Sequence, residues 1–139
     1  MSVENRTICL STRGFCDVVD ITARVESAMS NQSLSSGVVT LFVSGSTAGL
    51  TTLEYEAGCI QDLQDSLERL FPQDADYAHN ARWMDGNGFS HIRAAVLGPS
   101  LQIPFIGKEL KIGTWQQVVL VDFDNRPRER KVVLQFIGE

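Results

Sequence analysis

His79 and His91 are the only two histidines of the chain, and they flank Asp85-Gly86-Asn87-Gly88 in a stretch with no sustained hydrophobic period. Imidazole titrates near neutrality and is the commonest metal ligand, so a loop that converges two of them could hold one ion or move one proton. With Asp85 or Glu54 they would form a set of two imidazoles and one carboxylate, which suits zinc, iron or manganese. Spacing alone leaves a plainer alternative open, in which both rings hydrogen-bond to loop backbone.

Two further segments carry polar groups. Ser44-Gly45-Ser46-Thr47-Ala48-Gly49 offers the hydroxyls of Ser46 and Thr47 and accessible amides, as anion-binding nests do. It joins a strand to a strand and lacks the Gly-Lys-Ser/Thr of a P-loop, so it also suits a plain connection. In Gly113-Thr114-Trp115-Gln116 the indole could stack on a flat heterocycle or fill the core. Arg126, Arg128 and Arg130 alternate near the last hairpin. Such charges can grip phosphate, but near a hairpin they ordinarily form a solvated edge, and they fall outside the expected site.

The elements that must position these groups follow from periodicity. Arg6 to Leu10 and Phe15 to Val18 read as strands around a Thr12-Arg13-Gly14 turn, with Asp20 as the cap of a helix carrying Ile21, Val25, Ala28 and Met29. Val38 to Val43 and Leu50 to Glu56 are strands on either side of the small-residue loop. Ile60, Leu63, Leu67, Leu70 and Phe71 form the stripe of a second helix, closed by Pro72. Gln73 to Gly88 reads as a loop, long enough to suggest a function. Ser90 caps a third helix through Leu97, and strands at Leu101 to Phe105, Leu110 to Ile112, Gln116 to Phe123 and Lys131 to Ile137 read as an antiparallel meander. The sum is an α+β single domain over residues 1–139, with about seven or eight strands and three helices.

Composition narrows the partners. The 139 residues are 43% hydrophobic, enough for one core. A net charge of -5 without a Lys/Arg cluster argues against nucleic acid and anionic membrane. No apolar stretch approaches a membrane span, and no basic start precedes an apolar run, which points to the cytoplasm. Cys9, Cys16 and Cys59 lack CxxC spacing and read as buried thiols in a reducing compartment.

Taken in order and spacing, Gly45-Ser46-Thr47-Ala48-Gly49 with Glu54, Tyr77-Ala78-His79-Asn80, Asp85-Gly86-Asn87-Gly88-Phe89-Ser90-His91, Leu97-Gly98-Pro99-Ser100 and Gly113-Thr114-Trp115-Gln116 resemble the YjbQ-type family. The likeness spans nearly the whole chain and includes the terminal Gln135-Phe136-Ile137-Gly138-Glu139. It implies a β-sandwich that assembles as a homotrimer and a secondary thiamine-phosphate synthase activity. His79 and His91 match two of the family's usual three histidines. Gly45 opens the Gly-Ser-Thr-Ala variant where many members have His-Thr-Thr-Ala, and Phe89 stands where relatives often carry a further histidine.

The resemblance implies that hydroxymethylpyrimidine diphosphate is joined to thiazole phosphate with loss of diphosphate, chemistry that needs positioning and leaving-group stabilisation. In that scheme His79 and His91 bind a cation or donate protons, and Glu54 orients a histidine or water. Ser46, Thr47, Asn87, Ser100 and Thr114 hold a small phosphorylated substrate, and Trp115 flanks its ring. A divalent metal, zinc or magnesium, would serve in place of any nucleotide cofactor. Two alternatives stay open: metal-assisted phosphate-ester hydrolysis on His79, His91 and Asp85, and a non-catalytic oligomer that binds small molecules or anions.

Overall fold

The computed structural model describes residues 1–139. The strands are β1 (Ser2–Thr12), β2 (Asp17–Asp20), β3 (Ser36–Val43), β4 (Ala48–Leu53), β5 (Ser100–Ile106), β6 (Glu109–Leu110), β7 (Gln117–Asp122) and β8 (Arg128–Gly138). The helices are α1 (Thr22–Ser30), α2 (Ala57–Leu70), α3 (Ala78–Trp83) and α4 (Gly88–Leu97). Two antiparallel sheets result, one ordered β1-β8-β3-β5-β6 and one ordered β2-β7-β4.

Alternation decides which faces meet. On β3, Val39, Leu41 and Val43 are buried between exposed Val38 and Phe42; on β8, Val132, Leu134 and Phe136 are buried between exposed neighbours. These side chains join Leu50, Val118 and Leu120 of the small sheet, with Val25 and Met29 of α1, in one sandwich core. Each such side chain, fully buried, contributes roughly 1.5–3 kcal/mol. β7 is buried on both faces, because Val119 and Val121 pack into a second core with Leu67 of α2 and Ala94 of α4. A strand covered on both sides reads as a continuous apolar run, as Val118 to Val121 does.

The structure differs from the sequence reading in five places. The segment read as a loop contains α3, whose six residues bury no side chain and so leave no hydrophobic period to read. The start of α4 is Asn87, not Ser90; Ser90 is buried and its Oγ donates to the Asn87 carbonyl at 2.5 Å. Asp20 supports α1 from one residue outside the cap, its carboxylate accepting from Thr22 N at 2.9 Å. The C-terminal meander does not form, because β7 enters the small sheet and β8 returns to the large one between β1 and β3. Of the three thiols only Cys16 is buried, and desolvation pushes it up to about 11.

Charged groups join the two sheets at one end of the sandwich. Arg130 shares the inward parity of Val132, Leu134 and Phe136, so its guanidinium enters the sandwich. There its Nε and Nη2 donate to Asp122 of β7 at 2.6 and 2.8 Å, and Nη2 also donates to Thr47 Oγ1 at 2.6 Å. Thr12 of β1 donates to the same Asp122 carboxylate. Asp124, fully buried, accepts from Thr47 Oγ1 at 3.0 Å and from Arg128 Nε at 2.7 Å. Removing one member of such a pair strands the other charge inside. Asp122→Ala is therefore expected to destabilise the fold by about 3–5 kcal/mol; a urea midpoint close to that of the parent chain would contradict the joint.

Candidate functional site

Close packing of two helices brings the histidines together. A Cβ at Gly88 would sit 2.5 Å from Tyr77 Cβ and 2.9 Å from Asn80 Oδ1, so only glycine lets the start of α4 approach the start of α3 this closely. Gly88 N donates to Asn80 Oδ1 at 2.8 Å and fixes that approach. Arg93 anchors α4 from its other side, donating to the Phe71 carbonyl at the end of α2 and to Glu68. His79 and His91 consequently face each other with ring centroids 4.3 Å apart and planes tilted by 40°.

The rings form one wall of a hollow of about 430 Å³. Its other walls come from Gly45, Ser46 and Thr47, from Trp83, Asp85 and Asn87, and from Arg128 and Arg130. His79 Nδ1 is buried 3.3 Å from Asp85 Oδ1 but not aligned for a hydrogen bond. Asn87 Nδ2 donates to Asp124 at 3.3 Å, leaving its buried Oδ1 without a partner. Asn125 Nδ2 donates to the Asp85 carbonyl and steadies that loop against the last hairpin.

Electrostatics set the protonation states. Desolvation, then the neighbouring His79 ring, holds His91 below its ordinary value of 6.5, so it is largely neutral at pH 7. Burial would raise Asp124, but hydrogen bonds from Arg128, Asn125 N, Asn87 and Thr47 outweigh it and keep the carboxyl below 3.8. Asp124 therefore stays ionised, and the carboxylates of Asp124 and Asp122 face the inner edges of the two arginines. The outer edge of Arg130 differs: its Nη1 makes no hydrogen bond within the chain and lies 2.7 Å from where a Gly45 Cβ would be.

That guanidinium decides what the hollow can hold. His79, His91 and Asp85 come together on one side of the hollow, though not in an arrangement that would itself ligate an ion. The corner at Gly45 presents a cation instead. The unpaired nitrogen donors of Arg130 and Arg128 face the same hollow as the two imidazoles.

The remaining expected residues divide by position. Ser46, Thr47 and Asn87 line the histidine hollow. Glu54, Thr114 and Trp115 do not: they line a separate recess with Asp20, Tyr55, Glu56 and Gln117. The strand β4 lies between, and its six residues carry Glu54 roughly 20 Å along the sheet from the Gly45 loop. Glu54 therefore orients neither histidine within this chain. Ser100 pairs with Phe42 in the β3/β5 ladder and lines neither space. Arg128 and Arg130, which the sequence reading placed on a solvated edge, belong to the hollow. Their shared parity with Val132 was the signal that they point inward. A larger hollow of about 660 Å³ lies on the outer face of the five-stranded sheet, far from these groups, among Val38, Thr40, Gln102 and Ile137.

Fold and hollow together define a single-domain α+β sandwich with a histidine and arginine site at one end. The chain belongs to the UPF0047 YjbQ-like family, whose model matches residues 6–139. A UPF0047 protein of Methanothermobacter thermautotrophicus is 32% identical over 139 residues, covering 100% of this chain and 95% of that one. One from Mycobacterium tuberculosis H37Rv is 37% identical over 120 residues, covering 86% and 88%. The crystal structure of a YbjQ-like protein from Sulfolobus solfataricus superposes with a TM-score of 0.94 at 30% identity, covering 99% of each chain. A Clostridium acetobutylicum member of the yjbq/upf0047 family gives 0.87 at 33% identity, covering 95% and 99%.

The state of His91 is open to direct measurement. Its ring protons should titrate by NMR with a midpoint below 6.5, and inorganic phosphate should raise that midpoint, since a bound anion favours imidazolium. A free-protein midpoint at or above 6.5, unmoved by phosphate, would show that the two rings do not share a desolvated anion site.

Proposed function

We propose that this chain binds the phosphate or diphosphate end of a small organic molecule and transfers the organic group as that end departs. The observation that carries the reading is the unpaired Nη1 of Arg130 in the Gly45 corner, opposite the imidazole pair. The reaction implied by the family resemblance is of this kind: hydroxymethylpyrimidine diphosphate joined to thiazole phosphate to give thiamine phosphate, with diphosphate released.

Each residue has a task in that scheme. Arg130 and Arg128 take the phosphoryl oxygens, with the Ser46 hydroxyl as a further donor, and stabilise the charge that grows as the bond breaks. Asn87 Oδ1 accepts the proton of a singly protonated phosphate. His91 enters neutral, and the bound anion raises its basicity until it carries the proton that the leaving group needs. Asp85 places a carboxylate beside His79, and His79 holds the face of His91. Transfer and hydrolysis share this machinery and differ in what accepts the organic group. The cytoplasm suits the reading, since all three cysteines are free thiols; no helix is long and apolar enough to cross a membrane.

Purified protein given both precursors and magnesium should release diphosphate and form thiamine phosphate. Gly45→Ala, which pushes the Arg130 tip aside, and Arg128→Gln should each lower kcat/KM by about a hundredfold, and Arg128→Gln should also lower the melting temperature because it strips the buried Asp124 of its guanidinium partner. Absence of thiamine phosphate over a buffer control would eliminate the synthase reading.

The homotrimer implied by the resemblance is proposed to use the outer face of the five-stranded sheet at the Val38 end of β3, away from Phe42. There Val3, Ile137 and Val38 form one exposed cross-strand row, with Ile106 exposed nearby. An apolar row of this kind is what a subunit contact covers. Light scattering should give three times the 15.4 kDa chain mass, and Ile137→Asp should yield monomers; a monomeric parent protein would contradict the assembly.

A further inference from the structure

The phosphoryl hollow does not end at His91. Gly45, Ser46 and His91 also line a second hollow of about 490 Å³, whose other walls are Phe42, Val43, Ala48, Ala94, Ala95 and Pro99. Ser46 and His91 bring its only polar side chains. Ala94 and Ala95 follow His91 by three and four positions, so they stand on the same face of α4 and keep the space open with short side chains. Phe42, on the outward face of β3, leaves 46% of its surface uncovered at the rim. One polar and one apolar space therefore meet along the edge of the His91 ring.

We infer that the molecule bound here is a phosphoester whose organic part is an apolar, ring-sized group, lying across that seam. Its phosphoryl end sits on Arg128 and Arg130, its bridging oxygen faces His91, and its ring lies against Phe42 and Ala95. This inference rests on the phosphoryl reading of the preceding subsection and adds the chemistry of the other half of the ligand. The walls argue against a sugar or a nucleoside, because Val43, Ala48, Ala94 and Pro99 offer its hydroxyls no side-chain hydrogen-bond partner. A hydrocarbon or aryl body loses nothing there and is drawn out of water.

Isothermal titration of the full chain with inorganic phosphate, benzyl phosphate and ribose 5-phosphate tests it. Benzyl phosphate should bind at least about tenfold more tightly than inorganic phosphate, and ribose 5-phosphate no more tightly than inorganic phosphate. Ala95→Leu, which fills the apolar hollow from an exposed position, should remove the benzyl preference and leave the affinity for inorganic phosphate unchanged. Phe42→Ser should weaken the same preference from the opposite wall. Equal affinity for all three ligands, or a benzyl preference that survives both variants, would overturn the inference and leave the phosphoryl site standing. A change of oligomeric mass in Ala95→Leu would overturn it too, since a second copy would then cover the hollow. Failure of inorganic phosphate to bind at millimolar concentration would remove the phosphoryl reading itself, and this inference with it.

Discussion

The ion pair between Arg130 and Asp122 is the constraint on which the rest of this molecule depends. It connects β8 of the large sheet to β7 of the small one at the end of a sandwich whose core contacts are apolar and indifferent to direction. Apolar burial supplies most of the free energy, yet it would tolerate small slides of one sheet over the other. A bidentate guanidinium on a carboxylate does not, because both bonds are lost together when the register shifts. Thr12, Thr47 and Asp124 complete the arrangement, so β1 and the β3/β4 loop are fixed by the same joint.

The joint also determines the character of the hollow above it. An arginine that spends Nε and Nη2 on an inward carboxylate has one nitrogen left, and here that nitrogen points outward beside Gly45. The loop residue must be small for this to happen. The imidazole pair is placed by an independent device, the contact of α3 and α4 at Gly88, and the two devices meet only in the folded chain. Structure and chemistry are thus coupled: what locks the sheets also presents the charge.

How far the sequence disclosed this varies with the kind of signal. The strands and the two longer amphipathic helices follow from alternation and the 3.6-residue stripe, because packing on one face leaves a regular mark. α3 left none, being six exposed or half-buried residues whose position is set by Tyr77 and Asn80 against Gly88. The partnership of His79 and His91 was readable from their flanking of one glycine-rich turn. Glu54, Thr114 and Trp115 were grouped with them by motif order, which carries no distance, and a whole strand separates the two sets. Arg130 was misread for a definite reason: charge suggested solvent, while its parity with Val132, Leu134 and Phe136 indicated the interior. Where residue type and register disagree on a long paired strand, register is the stronger guide, since one side chain cannot turn without its neighbours.

Charge distinguishes the two ligands that a histidine pair ordinarily suggests. A divalent cation in the hollow would be repelled by the outward guanidinium edge. Asp122 and Asp124 reduce that repulsion, but their oxygens are already turned inward to the arginines and hydroxyls that hold them. A phosphate dianion in the same place would be attracted and costs His91 nothing, because that ring is neutral before the anion arrives and can take a proton afterwards. On the proposed reading, the direction of the field rather than the presence of imidazole favours the anion. Changing Gly45 to any residue with a side chain would disturb that choice by moving the guanidinium, even though no bond to Gly45 itself is broken.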